Sequence, residues 1–157
     1  MSKLIGEPTI NPILFYSGKI SGYLAVISMP LQFLVNFRII DTNYIIIAAS
    51  LLFLIMGVGL TFVSILNLGD AISLGIPKEY TEFKSGGLYK FSRNPMYVGF
   101  HCLSISAVLF TLNIFIAILV IYSLFVYHII IKGEEEYLQN KFGDKYIDYT
   151  NQTRRYF

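Results

Sequence analysis

The chain has 157 residues, of which 55% are hydrophobic and only 14% are charged, with a formal net charge of +2. This charged fraction lies below the roughly 25% of ordinary soluble domains, and the mean hydropathy is +0.60. Twelve Gly, five Pro and one Cys exclude collagen-like repeats and a disulfide scaffold, and no basic run indicates a nucleic-acid partner. The composition therefore indicates an integral membrane protein with a single domain.

Uncharged stretches locate the predicted membrane spans. Residues 20–37 and 42–69 carry no charge, and each stretch matches one bilayer crossing of roughly 20 residues. A third uncharged stretch, residues 94–131, has room for two short helices with a tight turn at Phe110-Thr111-Leu112-Asn113. We therefore expect an all-α membrane bundle of about four transmembrane helices, the last two forming a helical hairpin, over residues 20–37, 44–66, 96–111 and 114–131.

The positive charges predict the orientation of this bundle. With four spans, both termini and the loop 67–95 lie on one side, together with eleven of the twelve Lys and Arg residues; only Arg38 lies on the other. By the positive-inside rule, we expect both termini and this loop to be cytoplasmic. Residues 1–11 contain Glu7 and Pro8 and no apolar core, so no removable signal peptide is expected.

Residues 133–150 are predicted to form a C-terminal amphipathic helix. Four apolar or aromatic residues recur there at helical spacing: Leu138, Phe142, Tyr146 and Tyr149. Two interpretations stay open, a helix lying on the membrane surface and a lid that closes a site.

The segment that leads into the third span has the features of an anion-binding site. Asn94 is placed to cap the helix and Pro95 suits its first position, so unpaired N–H groups and the helix dipole favour a carboxylate or phosphate beside Arg93. Gly99 permits close approach of a ligand or of another helix. The alternative is an ordinary interfacial anchor of Tyr, Lys and Arg residues.

Further polar residues accompany the fourth span. The acidic run Glu134-Glu135-Glu136 follows it directly and is typical of a solvated helix start. The hairpin would nevertheless bring these carboxylates close to Arg93. His101 and His128 are expected to be buried and hydrogen-bonded rather than metal ligands, and Cys102 is expected to pack in a span.

These residues together resemble the membrane-embedded methyltransferases of the isoprenylcysteine carboxyl methyltransferase and phospholipid methyltransferase type. The family pattern is Gly-x-Tyr, three residues, Arg-His-Pro-x-Tyr-x-Gly, a hairpin, then Glu-Glu-x-x-Leu-x-x-x-Phe-Gly-x-x-Tyr-x-x-Tyr. The chain matches it, except at Asn94, over roughly its C-terminal half through Gly87, Tyr89, Arg93, Pro95, Tyr97, Gly99, Glu134, Glu135, Leu138, Phe142, Gly143, Tyr146 and Tyr149.

The resemblance implies S-adenosylmethionine as cofactor and a lipid or other membrane-soluble methyl acceptor. It implies cofactor contacts from Tyr89, Arg93, Asn94, Pro95, Met96, Tyr97, Gly99, Glu134 and Glu135, and from the stretch Thr81 to Lys84. Arg93 and Glu135 are the expected catalytic residues, with Glu135 or Glu134 as the base for an amine acceptor. No metal is expected.

Two positions depart from the family pattern. Asn94 replaces the usual His, as in the phospholipid methyltransferase branch. Ile130 stands where the isoprenylcysteine enzymes place an arginine for the substrate carboxylate, so a carboxylate acceptor would need another cation such as Lys132.

Two other functions stay open on the sequence alone. One is an NADPH-dependent membrane reductase of the sterol reductase type, which shares a similar C-terminal pattern. The other is a non-enzymatic membrane scaffold. The acceptor, the role of the first two spans and the oligomeric state are left undecided, with an oligomer allowed.

Overall fold

The computed structural model describes residues 7–35, 43–69 and 83–157. Its helices, in chain order, are α1 (Pro12–Val35), α2 (Tyr44–Leu68), a short 3₁₀ helix (Gly87–Lys90), α3 (Pro95–Thr111), α4 (Ile114–Phe142) and α5 (Asp144–Gln152). The described ranges contain no β-strand. The all-α bundle predicted from the sequence is confirmed.

Three helices, α1, α2 and α4, are long and apolar enough to cross a membrane, and α3 is a shorter apolar helix. Large apolar side chains cover the outside of the bundle; on α2, Ile55 is 70% exposed and Phe62 61% exposed. Such surface is stable in hydrocarbon and costly in water. The protein is therefore a membrane protein.

Helix α1 begins well before the uncharged stretch that suggested the first span. Pro12 occupies the first helical position, and the Asn11 side chain accepts a hydrogen bond from the backbone N–H of Ile13 at 2.9 Å. Lys19, which marked the expected boundary, lies inside α1 and is buried. Arg38 and Asp41 lie outside the described residues.

Small residues allow the helices to approach closely. A side chain at Gly57 of α2 would come within 2.9 Å of the Gly99 carbonyl oxygen on α3, and one at Gly18 of α1 would overlap Val126 of α4. The Ser106 hydroxyl on α3 also donates to the Ser50 carbonyl on α2 at 2.8 Å. Small residues and interhelical hydrogen bonds are the usual means of association between membrane helices.

Helices α3 and α4 form the expected hairpin. Leu112 adopts a left-handed conformation with φ of 48° at the end of α3. Asn113 then caps α4, its side chain accepting a hydrogen bond from the backbone N–H of Phe115 at 2.8 Å. The two helices therefore run antiparallel, and the first turn of α3 lies beside the charged end of α4.

The C-terminal region differs from the single helix expected over residues 133–150. Helix α4 continues without a break through Glu134 to Phe142, and Gly143 (φ 55°) separates it from α5. Gly133 lies within this continuous helix, and a side chain there would come within 2.9 Å of Thr9, the residue three positions before α1. The acidic run therefore lies inside a helix and does not begin one.

Two glycines of α2 provide a matched test of this packing. We expect Gly57→Ala to lower the free energy of unfolding by about 1–3 kcal/mol, because the new methyl group meets Leu103 and the Gly99 carbonyl. Gly59→Ala, where a side chain would meet no atom within 4 Å among the described residues, should be neutral or stabilising. Thermal unfolding in detergent measures both, and equal midpoints for the two variants would contradict the packing.

Candidate functional site

The turn before α3 places its polar side chains toward the C-terminal tail. Asn94 occupies the cap position, but its side chain makes no capping hydrogen bond, so the expected capping role is wrong. Its amide group donates instead to Glu135 at 3.1 Å and to the Arg155 carbonyl at 3.2 Å. The Ser92 hydroxyl accepts the backbone N–H of Asn94 at 3.1 Å, and Pro95 begins the helix as expected.

Glu135 is the centre of a charged cluster, which we call the Glu135 network: Arg93, Asn94, Glu135 and Arg155. Arg93 donates to the carboxylate through Nε at 3.1 Å and Nη2 at 3.3 Å. Arg155 donates through Nε at 3.0 Å and Nη2 at 2.8 Å. With the Asn94 amide, the Glu135 carboxylate accepts five hydrogen bonds, which saturates the roughly four lone-pair positions that a carboxylate offers. The side chain of Glu135 is only 11% exposed, so this is a largely desolvated ion cluster.

Arg93 also fastens the tail. Its Nη1 donates to the carbonyl oxygens of Thr150 at 3.2 Å and Thr153 at 2.8 Å, and its backbone N–H donates to that of Arg154 at 2.8 Å. Four of the roughly five guanidinium N–H groups are therefore engaged within the protein. The tail residues Thr153 and Arg155 were missed by sequence reasoning.

Glu134 faces a different part of the bundle from Glu135. Successive residues on a helix are about 100° apart, so neighbouring side chains point in different directions. The Tyr97 hydroxyl donates to Glu134 Oε1 at 2.7 Å. Tyr97 is only 6% exposed and lies against Tyr127 with ring centroids 5.5 Å apart. Glu134 thus meets the aromatic interior of the bundle.

The remaining candidate residues divide into those near this site and those that pack elsewhere. Tyr89 is buried and its carbonyl accepts the Tyr149 hydroxyl at 2.6 Å. Pro95 is buried and Met96 half-buried in the first turn of α3. Gly99 lies directly against Thr61 of α2, so the close approach that this glycine permits is that of a helix.

Helix α5 packs over the segment that precedes α3. The Phe83 ring contacts Phe142, Tyr146 and Tyr149, with centroid distances of 5.4, 5.6 and 5.1 Å. Burial raises the pKa of Tyr149 to about 12, with Arg93 opposing the rise and Glu135 adding to it, so its hydroxyl remains a donor at neutral pH. Of the expected cofactor stretch Thr81 to Lys84, residues 81 and 82 lie outside the described residues.

The two histidines are placed apart from the carboxylates. His128 Nδ1 hydrogen-bonds the Tyr156 hydroxyl at 2.8 Å, whereas His101 Nδ1 is buried without a partner among the described residues. Within the described ranges, no three His, Cys, Asp or Glu side chains are grouped to hold a metal ion. Cys102 is buried in α3 and fills space there.

The Glu135 network predicts unequal costs for removing its arginines. Arg93→Met leaves a buried carboxylate short of a partner and frees two tail carbonyls, so we expect the free energy of unfolding to fall by about 3 kcal/mol. Arg154→Met changes an exposed neighbour and should cost less than about 0.5 kcal/mol. Chemical denaturation in detergent measures both values. A cost for Arg93→Met as small as that for Arg154→Met would contradict the network.

Comparison with known proteins identifies the family. The family model of phospholipid methyltransferase matches residues 45–145, from the start of α2 to the first turn of α5. No curated protein and no solved structure matches the chain significantly. The matched region covers more than half of the chain and contains Arg93, Asn94, Glu134 and Glu135. The protein thus belongs to the phospholipid methyltransferase family, a family of membrane methyltransferases.

Proposed function

We propose that this protein transfers a methyl group from S-adenosylmethionine to a lipid or other membrane-soluble acceptor. The observation that carries the proposal is the position of Glu134: it lies one residue from the Glu135 network, against buried Tyr97, in a chain of a methyltransferase family. A carboxylate among aromatic side chains suits a sulfonium cation, which is attracted both to negative charge and to aromatic faces.

The residues at this site fit the cofactor. Glu134 Oε1 accepts the Tyr97 hydroxyl, while Oε2 has no hydrogen-bond partner among the described residues. That oxygen is open to the ammonium group of the cofactor's amino acid end. Tyr97 and Tyr127 supply aromatic surface beside it, and Tyr89, Asn94, Pro95 and Met96, which precede or begin α3, are the further cofactor contacts in this proposal.

The two glutamates take different roles in this proposal. Glu135 already accepts hydrogen bonds from Arg93, Asn94 and Arg155, so it positions the start of α3 and the tail. Arg93, with most of its donors engaged, helps Glu135 to position these two segments. Glu134 retains an open oxygen and is the better candidate for holding the cofactor's amine or for accepting a proton from an amine acceptor.

Bound S-adenosylmethionine supplies an activated methyl group on sulfur. The chain's own residues supply orientation and exclusion of water: α5 and Phe83 cover the loop side, and Tyr97 and Tyr127 enclose the interior side. Holding two reactants in line in a dry site accounts for much of the acceleration in such transfers. The acceptor enters from the bilayer, and the charge distribution supports a multi-pass protein with both termini cytoplasmic.

Adjacent glutamates provide a matched test of cofactor binding. Calorimetric titration of the detergent-purified protein with S-adenosylmethionine should give binding that Glu134→Gln weakens by about tenfold or more, because a charge-assisted hydrogen bond is lost. Glu136→Gln removes an exposed carboxylate two residues away and should leave the affinity unchanged.

A parallel titration with NADPH tests the reductase function that the sequence left open. We expect no NADPH binding. Binding of NADPH without S-adenosylmethionine would overturn the proposal in favour of a reductase, and binding of neither would indicate a non-enzymatic role.

A further inference from the structure

A buried lysine lies inside the first membrane helix. Lys19 is in the second turn of α1 and only 7% exposed, although α1 is otherwise apolar enough to cross a membrane. Transfer of an ammonium group from water into such surroundings is costly unless an opposite charge compensates it. An ionisable residue within a membrane span therefore indicates a functional role.

Within the part of the chain that the structure describes, the ammonium group of Lys19 contacts an aromatic ring and no opposite charge. It lies 4.3 Å from the centroid of the Phe15 ring, a cation–π contact one helical turn away. Among residues 7–35, 43–69 and 83–157, no hydrogen-bond acceptor pairs with it and no carboxylate oxygen lies within ion-pair distance. A cation–π contact alone offsets only part of the desolvation cost.

The surroundings of Lys19 connect it to the proposed active site. Phe15 belongs to the same buried cluster as Tyr97, Tyr127 and Ile130. The Tyr97 hydroxyl binds Glu134, and the charges of Lys19 and Glu134 attract each other without forming an ion pair. A cation from α1 and a carboxylate from α4 thus lie separated at the junction of α1, α3 and α4.

This arrangement leaves one of the two charges without a partner when the cofactor is bound. Glu134 holds the cofactor's amine in the proposed function, so the ammonium group of Lys19 stays available to an anionic oxygen group of a second ligand. The lysine ammonium is a compact charge with three donors, which suits phosphate and carboxylate oxygens.

We propose that Lys19 binds an anionic oxygen group, phosphate or carboxylate, of the methyl acceptor. The inference rests on the proposed methyltransferase function. The acceptor is favoured over the cofactor because α1 lies outside residues 45–145, the part of the chain that matches the family. A residue outside the shared part is suited to recognise the acceptor of this particular protein. Lys19 also lies within a membrane helix, on the route of a ligand that arrives from the bilayer.

The test measures acceptor binding and cofactor binding separately on the detergent-purified protein. The acceptor probes are dihexanoyl phosphatidylethanolamine, with an amine and a phosphate, hexadecylamine, with an amine alone, and hexadecanoic acid, with a carboxylate alone. Each is titrated calorimetrically into the wild type, Lys19→Met, Lys19→Arg and Lys132→Met, and S-adenosylmethionine is titrated into the same proteins. Lys141→Met, an exposed change at the far end of α4, is the matched control, and circular dichroism verifies that each variant is folded.

We expect Lys19→Met to weaken binding of an anionic probe by about tenfold or more, with Lys19→Arg restoring most of it. Loss confined to the phospholipid assigns the group as phosphate, and loss confined to hexadecanoic acid assigns it as carboxylate. Affinity for hexadecylamine and for S-adenosylmethionine should change by less than about twofold, since neither ligand contacts Lys19 in this proposal.

Several results would overturn the inference. Equal weakening of the anionic probes and hexadecylamine would make Lys19 a structural residue, and weakening of S-adenosylmethionine alone would assign it to the cofactor. Loss in Lys132→Met but not in Lys19→Met would assign the role to Lys132. If the wild type binds no S-adenosylmethionine, the proposed function fails, while the acceptor titrations still decide whether Lys19 binds an anion.

Discussion

The carboxylate of Glu135, held between two arginines, is the interaction on which the arrangement of the site depends. Arg93 comes from the turn before α3, Glu135 from the charged end of α4 and Arg155 from the C-terminal tail, so one desolvated ion cluster joins three parts of the chain. The cluster is sensitive to the loss of any member, because an unpaired charge left in a largely buried place is costly. The tail that it fastens carries α5, which in turn covers Phe83 and Tyr89.

This constraint separates two glutamates that are neighbours in sequence. The Glu135 carboxylate is fully engaged in hydrogen bonds within the protein, and it raises the pKa of Arg155 by accepting that residue's hydrogen bonds. Glu134, rotated by about 100° on the same helix, turns toward Tyr97 and the aromatic interior. The same helix thus places the Glu134 carboxylate beside aromatic side chains, where a charge interacts with its neighbours more strongly than in water.

Much of the bundle follows from the sequence because its determinants are local. Gaps between charged residues located α2, α3 and the apolar part of α4, and the polar Asn113 marked the hairpin turn that the structure confirms. Family membership was likewise recognisable, since residues from Gly87 to Tyr149 keep a characteristic order and spacing.

The remaining features depend on contacts between distant segments. In the sequence, Lys19 marks the edge of an uncharged stretch and so the expected start of the first span. In the structure it lies inside α1 and is buried by packing. No local sequence signal distinguishes a lysine at the end of a span from one buried within it. The Asn94 side chain leaves its cap position for Glu135, a residue 41 positions away, and the carbonyl of Arg155, 61 positions away. Arg155 had no recognisable partner in sequence, because its pairing arises only when the tail returns to the start of α3.

The most direct test of the account is detection of the transferred methyl group itself. The purified protein, reconstituted in vesicles of its native membrane lipids, is incubated with S-adenosylmethionine carrying a deuterated methyl group, and the extracted lipids are analysed by mass spectrometry. We expect a deuterated methyl group on a membrane-soluble acceptor, with labelling that increases with time and is strongly reduced in Glu134→Gln. Absence of label from every extracted lipid, with the wild-type protein folded and the cofactor in excess, would contradict methyl transfer to a membrane acceptor.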